Sequence, residues 1–241
     1  MKILIAVVSA HSRELFADTV RSTWVSRVQG ADLKFFRGRG ATREPKQDEV
    51  FLNCGDGYLE LPDKVRSIVR WAYDHEYDFV MKIDDDVVLK PAQWLSSGFQ
   101  NYDFTGCQDP KVVPGEIRTP WGFAYILSRR SMGLLKDAIL PGEQNSLWPG
   151  NYHNNDEAWV STILYVNNIF LNDDQRYYLY RGPRPEAPLP RFSRGIRRVK
   201  PPNDGPRDDT FAWCLYIDGG LHNLSQEILT TEFKKVFYEN P

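Results

Sequence analysis

Three consecutive aspartates, Asp84, Asp85 and Asp86, interrupt an otherwise apolar run in the stretch FVMKIDDDVVLKP. The residues before them, YDFVMKI, are typical of a buried strand, and open α/β sheets bind their ligands at the carboxyl ends of strands. Side chains at positions i and i+2 of an extended chain point the same way. We therefore expect Asp84 and Asp86 to face one site, while Asp85 turns away to pair elsewhere.

Adjacent carboxylates repel each other, so this site calls for a positive partner. Two carboxylates with open coordination positions suit Mg²⁺ or Mn²⁺, which prefer oxygen ligands and share them with phosphates. The sequence therefore predicts that Asp84 and Asp86 hold a divalent metal that carries a diphosphate. A solvated acidic turn is the alternative that the triplet alone leaves open.

The elements that must position these acids alternate in an α/β order. Before the triplet, apolar runs and helical periodicities follow the order β-α-β-β-α-β, which predicts a central sheet covered by helices. The predicted strands here are Ile3–Val8, LKFFRG, EVFLNCG and YDFVMKI, and the predicted helices are SAHSRELFADTVRSTWV and PDKVRSIVRWAYDHE. After the triplet, the predicted strands are VVLKP, YDFTGCQD and GFAYILS, and the predicted helices are PAQWLSSGF, SRRSMGLLKDAI, NNDEAWVSTILYVNN and LTTEFKKVFYE.

The composition sets the class of protein. With 241 residues, of which 41% are hydrophobic, the chain can bury a sizeable core, and we expect a single domain over residues 1–241. The net charge of −2 creates no field that would draw nucleic acid or a membrane surface to the whole molecule. Three scattered cysteines without a CxxC pair indicate reduced thiols. The initial run MKILIAVV is short for a signal peptide, and no stretch approaches the roughly 20 apolar residues of a membrane span.

Five short motifs, in order along the chain, resemble those of the beta-1,3-galactosyltransferase and Fringe-like glycosyltransferases. They are RSTW at 21–24, DGYLELPDK at 56–64, KIDDDVVL at 82–89, GFAYILS at 122–128 and DEAWVS at 156–161. The chain departs from the family at Glu60 and Pro62, where the family has Asn and Thr, and at Ala124, which replaces a glycine. The resemblance covers residue 3 to about residue 165. It implies a glycosyltransferase A fold with a mixed, mostly parallel central sheet, a UDP-sugar donor, Mn²⁺ (or Mg²⁺), and inversion at the anomeric carbon.

The resemblance also implies roles for individual residues. The residues expected to bind the donor are Arg21, Asp56, Lys64, Lys82, Asp84 and Asp85, and the expected metal ligands are Asp84, Asp86 and a late histidine, His222. Lys82 is also placed to pair with a carboxylate of the triplet.

Inversion proceeds by one in-line displacement, so one base that deprotonates the acceptor hydroxyl suffices. A second acidic pair, Asp156-Glu157, supplies it, and these two acids stand in the reverse of the family's order. Glu157 is the expected base and Asp156 the alternative. Without the resemblance, the pair is explained as the first turn of a helix, where acids favour the dipole.

The acceptor is left open between two classes. A glycan or glycoconjugate is expected, and DNA with hydroxymethylated bases is the alternative, because residues 181–207 contain eight Lys or Arg against two acids and could follow phosphates. The same segment, which holds seven prolines, could instead close over the donor diphosphate as a loop. A non-catalytic sugar-binding module is less favoured, because it needs neither acidic cluster.

The expected division of labour places nucleotide-sugar binding in residues 1–86 and acceptor binding in residues 87–241. The expected location depends on Met1: a natural start predicts a bacterial, viral or host cytoplasm, whereas a truncated chain predicts the Golgi lumen.

Overall fold

The computed structural model of the chain describes residues 1–109, 116–140, 155–181 and 212–216. These residues form an α/β fold with a mostly parallel seven-stranded sheet flanked by helices, which confirms the predicted fold class at that level. The strands of this part of the chain are β1 (Ile3–Val8), β2 (Asp32–Arg37), β3 (Glu49–Phe51), β4 (Phe79–Asp84), β5 (Val87–Leu89), β6 (Phe104–Gln108), β7 (Pro120–Ser128), β8 (Asn172–Asp173), β9 (Tyr177–Arg181) and β10 (Ala212–Tyr216). Its α-helices are α1 (Glu14–Thr23), α2 (Leu61–Asp74), α3 (Pro91–Leu95), α4 (Arg129–Leu135) and α5 (Asp156–Val166).

The central sheet has the strand order β3-β2-β1-β4-β7-β6-β8. All neighbours pair in parallel except β7, which is antiparallel to both β4 and β6. The carboxyl ends of β1 and β4 therefore lie at the same edge of the sheet as the amino end of β7. In the register, Ile83 lies opposite Ala124, so the residues that follow Ile83 meet those that precede Ala124.

Strand β1 explains why both faces of the sheet are covered. All six of its residues are buried, and alternate side chains point to opposite faces, as the unbroken apolar run predicts. One face packs against α1, its C-cap residue Trp24 and α3, and the other packs against α2, α4 and α5; Trp24 and Trp94 of α3 are fully buried. The two cores hold β1 and β4 in place and fix what projects from their carboxyl ends.

A second, three-stranded sheet has the order β5-β10-β9. Its first strand, β5, begins at Val87, so the chain leaves the central sheet directly after the aspartate triplet. No helix in the described residues is long and apolar enough to cross a membrane. The predicted terminal helix LTTEFKKVFYE lies outside the described residues.

Candidate functional site

The aspartate triplet lies where β4 ends. Asp84 is the last residue of β4, whereas Asp85 and Asp86 form a tight turn into β5, so the triplet is not the extended segment that the spacing argument assumes. The outcome for Asp85 is nevertheless the expected one, because its side chain is buried and turned inward. It accepts hydrogen bonds from Ser9 Oγ at 2.8 Å and from Arg13 Nε at 2.8 Å.

Arg13 links the side chains of Asp85 and Asp86. Its Nη2 atom lies 2.5 Å from Asp85 Oδ1 and 3.3 Å from Asp86 Oδ2, and its guanidinium group stacks over the Phe16 ring. Arg13 belongs to a short 3-10 turn between β1 and α1, at the same sheet edge as the triplet. Sequence reasoning missed this residue, although its position just after the end of β1 is a signal that could have identified it.

Lys82 connects the two acidic clusters. The side chain is buried, and its Nζ atom donates to Asp84 Oδ1 at 2.8 Å and to the carbonyl oxygen of Gly122. The same atom lies 3.6 Å from Asp156 Oδ2. Burial opposes the charge of Lys82, but the attraction of Asp156 and Asp84 is stronger and raises its pKa. The prediction that Lys82 pairs with a carboxylate of the triplet is confirmed.

The second acidic pair begins α5. Asn155 caps this helix by accepting from the Ala158 backbone N–H at 3.3 Å, so both acids occupy the first turn, where the helix dipole favours them. Asp156 is buried and accepts a hydrogen bond from the Tyr125 hydroxyl at 2.7 Å. The fold thus brings together two clusters that are about seventy residues apart in the sequence.

Glu157 lies against the amino end of β7. A Cβ atom added to Gly122 would lie 3.0 Å from the Glu157 carboxyl group, which therefore covers this glycine closely. Because Gly122 also accepts from Lys82, Glu157 and Asp84 are held around one short stretch of backbone. Trp121, the residue before it, has a buried indole N–H without a hydrogen-bond partner among the described residues.

The site contains more negative than positive charge. Five carboxylates, those of Asp84, Asp85, Asp86, Asp156 and Glu157, are accompanied by the cations of Arg13 and Lys82 within the described part of the chain. Arg13 is shared by Asp85 and Asp86, and Lys82 by Asp84 and Asp156, so two cations serve five carboxylates.

Their pKa values reflect this surplus. Burial, followed by repulsion from Asp84 and Asp85, raises the pKa of Asp86 to about 7. Burial also raises the pKa of Asp84 to about 6, against the attraction of Lys82. Burial and then the charge of Asp156 raise the pKa of Glu157 to about 8. A site in which acids resist ionisation in this way gains from an added cation.

Asp56 and Lys64 form an ion pair that holds the backbone next to the site. Lys64 is buried and its Nζ atom donates to Asp56 Oδ1 at 2.6 Å and to the Ser9 carbonyl at 2.9 Å. The Asp56 carboxylate also accepts the backbone N–H groups of His11 at 2.7 Å and Gly38 at 2.6 Å. These contacts fix the backbone beside Ser9, which holds Asp85 in turn. Contact of either residue with a donor nucleotide stays a prediction.

Tyr58 forms part of the rim. It lies on a short 3-10 helix after Asp56, with 75% of its surface exposed. Partial desolvation and then the negative charges of Glu157, Asp156 and Asp84 raise the pKa of Tyr58, which indicates that the hydroxyl lies near the acids. The sequence analysis assigned no role to this residue.

Arg21 lies in a different cluster. All three of its guanidinium nitrogens bond to carboxylates: Nε to Asp48 at 2.8 Å, Nη1 to Asp18 at 2.8 Å and Nη2 to Glu49 at 2.8 Å. The structure therefore does not bring Arg21 together with the aspartate triplet, and its expected contact with the donor stays a prediction. The reason is local, because α1 places Arg21 two turns away from Arg13 on the side of β2 and β3.

Other expected parts of the site lie outside the described residues. These are His222 and nearly all of the basic segment 181–207. Within the described residues, no group of three or more His, Cys, Asp or Glu is arranged to hold a metal ion. Asp84 and Asp86 therefore stand as a pair of possible ligands.

Comparison with known proteins does not assign the chain. No protein-family model matches it, and no curated protein matches it.

Proposed function

We propose that the chain is a metal-dependent inverting glycosyltransferase with a glycosyltransferase A fold. It moves a sugar from a UDP-sugar to a hydroxyl group of a glycan or glycoconjugate. The observation that carries the proposal is the surplus of carboxylates at the carboxyl end of β4, where Lys82 links Asp84 to the Asp156-Glu157 pair and the acids outnumber the cations of the described residues.

The donor set fits a hard divalent cation. Mg²⁺ and Mn²⁺ commonly take one or two protein carboxylates and fill their remaining positions with water and substrate phosphates. Asp84 and Asp86 are such a pair, and both side chains are partly exposed, at 34% and 22%. When bound, the metal supplies positive charge to the diphosphate of the donor.

Glu157 acts as the general base in this proposal. The Asp156 carboxylate accepts from the Tyr125 hydroxyl and lies near Lys82, whereas Glu157 meets Asp156 and the backbone at Gly122 and makes no ion pair within the described residues. A base must be free to take the proton of the acceptor hydroxyl, and its pKa should lie close to the working pH. The raised pKa of Glu157 suits that task, and Asp156 positions Lys82 and Tyr125.

The reaction balances with one proton transfer. The acceptor oxygen forms a bond to the anomeric carbon as the bond from that carbon to the diphosphate breaks. The proton of the acceptor hydroxyl passes to the Glu157 carboxylate, and UDP leaves with the electron pair of the broken bond. Lys82 holds Asp84 in place beside the leaving group by its 2.8 Å contact.

Calorimetry with Mn²⁺ and UDP tests the proposal. The unmodified protein should bind UDP only when Mn²⁺ is present. Asp86→Asn should weaken that binding by about tenfold to a hundredfold, the usual effect of losing one charged contact. Asp74→Asn is the matched control, because Asp74 is an exposed residue at the far end of α2.

A thermal-shift screen of nucleotide sugars then identifies the donor. A ligand at a hundredfold excess over its dissociation constant should stabilise the fold by about 2.7 kcal/mol. The proposal is wrong if the unmodified protein binds no nucleotide in the presence of Mn²⁺. The metal assignment alone is wrong if Asp86→Asn retains the full affinity for UDP with Mn²⁺.

A further inference from the structure

A cavity of about 310 Å³ lies beside the carboxyl-terminal half of α5, away from the acidic clusters. Its floor is apolar and consists of Phe104 from β6 together with Ile169 and Leu171, all of which are buried. Glu116 and Arg118, on the segment that leads into β7, form a polar rim. The cavity therefore combines an apolar floor with a charged rim.

Two aromatic rings form one wall of the cavity. Tyr165 and Phe170 stand at 80° to each other with ring centroids 5.6 Å apart, and 48% and 63% of their surfaces are exposed. Exposed aromatic rings lose little conformational entropy when a ligand covers them, because each has only two side-chain torsions. The pair is a preformed apolar corner that is open to solvent.

Ser161 places a polar atom in the lining. The residue is only 2% exposed, and its hydroxyl oxygen has no hydrogen-bond partner among the described residues. Buried hydroxyl groups are nearly always hydrogen-bonded, because an unsatisfied one has lost its water without compensation. Its place on a cavity wall indicates that a hydrogen-bonding group of a ligand completes it.

The cavity continues the helix face that carries the proposed base. Glu157, Ser161 and Tyr165 follow one another at four-residue spacing, so they lie along one stripe of α5. At 1.5 Å per residue, Ser161 lies about 6 Å and Tyr165 about 12 Å beyond Glu157 along the helix axis. The cavity therefore lies one to two helical turns from the proposed base, a span that one elongated molecule can cover.

We infer that this cavity is a subsite for a sugar ring of the acceptor, one residue or more beyond the ring whose hydroxyl reacts. A pyranose has an apolar face of C–H groups and an edge of hydroxyl groups. The aromatic corner of Tyr165 and Phe170 fits the first, and Ser161, Glu116 and Arg118 fit the second. The identification of the sugar as part of an acceptor rests on the proposed glycosyltransferase function, whereas binding in the cavity does not.

Nuclear magnetic resonance tests the subsite without metal or nucleotide. Saturation transfer and titration with methyl β-galactopyranoside, methyl β-glucopyranoside and methyl N-acetyl-β-glucosaminide should show at least one that binds. Ser161→Ala removes one hydrogen bond and should weaken it about fivefold to tenfold. Tyr165→Ala removes half of the corner and should weaken it by at least as much.

Thr162→Ala is the matched control. It removes a hydroxyl group from the next residue of the same helix, and Thr162 does not line the cavity. The control should bind the sugar as the unmodified protein does. Ser161→Ala should leave thermal unfolding unchanged or raise the midpoint, because the hydroxyl that it removes is unsatisfied.

Three outcomes would overturn the inference. One is that none of the glycosides binds. Another is that benzyl alcohol binds more tightly than every glycoside and is unaffected by Ser161→Ala, which would identify an apolar ligand. The third is that Ser161→Ala lowers the unfolding midpoint, which would mean that the hydroxyl already has a partner.

The test also separates this inference from the proposed function. If glycosides bind but UDP does not bind with Mn²⁺, the cavity is a sugar site and the glycosyltransferase proposal is wrong. If UDP binds and no glycoside does, the subsite is wrong and the proposed function stands. Where both bind, Ser161→Ala should raise KM for a disaccharide acceptor and leave KM for the donor unchanged.

Discussion

Two clusters of acids on the two sides of β1 differ in how their charge is balanced. The first, here named the edge network, consists of Glu14, Asp18, Arg21, Arg37, Arg43, Lys46, Asp48 and Glu49. It pairs four carboxylates with four cations. The second is the candidate site, where five carboxylates are accompanied by Arg13 and Lys82 within the described residues.

The pKa values of the two clusters move in opposite directions. Burial opposes ionisation of Glu14, but hydrogen bonds from Lys46 and Arg37 outweigh it and lower the Glu14 pKa to about 2. In the candidate site, burial and mutual repulsion raise the pKa of Glu157 to about 8. Four cations balance the four carboxylates of the edge network, whereas the candidate site has a surplus of carboxylates among the described residues. That difference separates a structural cluster from a functional one more clearly than the number of acids does.

The largest expected effect concerns the base. Glu157→Gln should lower the turnover number by about 10²–10⁴ and leave Mn²⁺-dependent UDP binding intact, because a general base acts on the acceptor proton alone. Steady-state kinetics and calorimetry on the same preparation measure both. If Glu157→Gln keeps full turnover and Asp156→Asn loses it, the assignment between the two acids is reversed.

Glu49→Gln should have the largest effect on stability. The Glu49 side chain is completely buried and meets Arg21, Arg37 and Arg43, so the substitution removes the one buried carboxylate that these three cations share. Breaking a buried ion pair in this way typically costs about 3–5 kcal/mol. Urea unfolding at pH 7.5 measures the free energy of unfolding, and a loss below about 1 kcal/mol would mean that the network is not complete in solution.

Removal of one carboxylate charge from the candidate site should instead raise the free energy of unfolding. In metal-free buffer at pH 8, Asp86→Asn should raise the free energy of unfolding by about 1 kcal/mol, because it relieves repulsion by Asp84 and Asp85. Mn²⁺ with UDP should remove this advantage, since the unmodified protein binds them about tenfold to a hundredfold more tightly than the variant. If both Glu49→Gln and Asp86→Asn destabilise the metal-free protein, the contrast between the clusters fails.

The smallest expected effect is the pH dependence of the contribution that Glu14 makes to the stability of the fold. Its folded pKa of about 2 lies below its ordinary value of 4.5, so its ionised form favours the folded state above about pH 4.5. This advantage decreases as the pH falls towards 2. The stability difference between the unmodified protein and Glu14→Gln should therefore be smaller at pH 3 than at pH 6. Guanidinium unfolding at the two pH values checks this, and a difference that grows on acidification contradicts it.

Much of the fold could be predicted from the sequence, because the signals were local. The continuous apolar run Ile3–Val8 is a strand buried on both faces, and β4 ends at the first aspartate of the triplet. The helix predicted after β1 is present, although a 3-10 turn at His11–Arg13 precedes α1. The antiparallel position of β7 between β4 and β6 was not predicted, because no local pattern specifies which strands become neighbours.

The candidate site could be predicted only in part. The pairing of Lys82 followed from charge, whereas the inward position of Asp85 was expected from an alternation of side chains that the turn at Asp85 and Asp86 interrupts. The contacts of Arg13 with the triplet and of Tyr125 with Asp156 join residues 31 to 73 positions apart. Such contacts depend on the register between strands and on where helices begin, which the sequence does not specify. Arg21 is the opposite case. It belongs to the motif RSTW, from which a contact with the donor was expected, but its side chain lies in the edge network.

Gly122 limits which substitutions the candidate site can accept. Its carbonyl oxygen receives Lys82, and the space where a side chain would stand is occupied by the Glu157 carboxyl group. The residue is therefore a spacer that sets the separation of the two acidic clusters without contributing any charge. A methyl group there would lie 3.0 Å from that carboxyl group, so the end of the Glu157 side chain would have to move. A side chain at this position therefore displaces the proposed base, although Gly122 itself takes part in no step of the proposed chemistry.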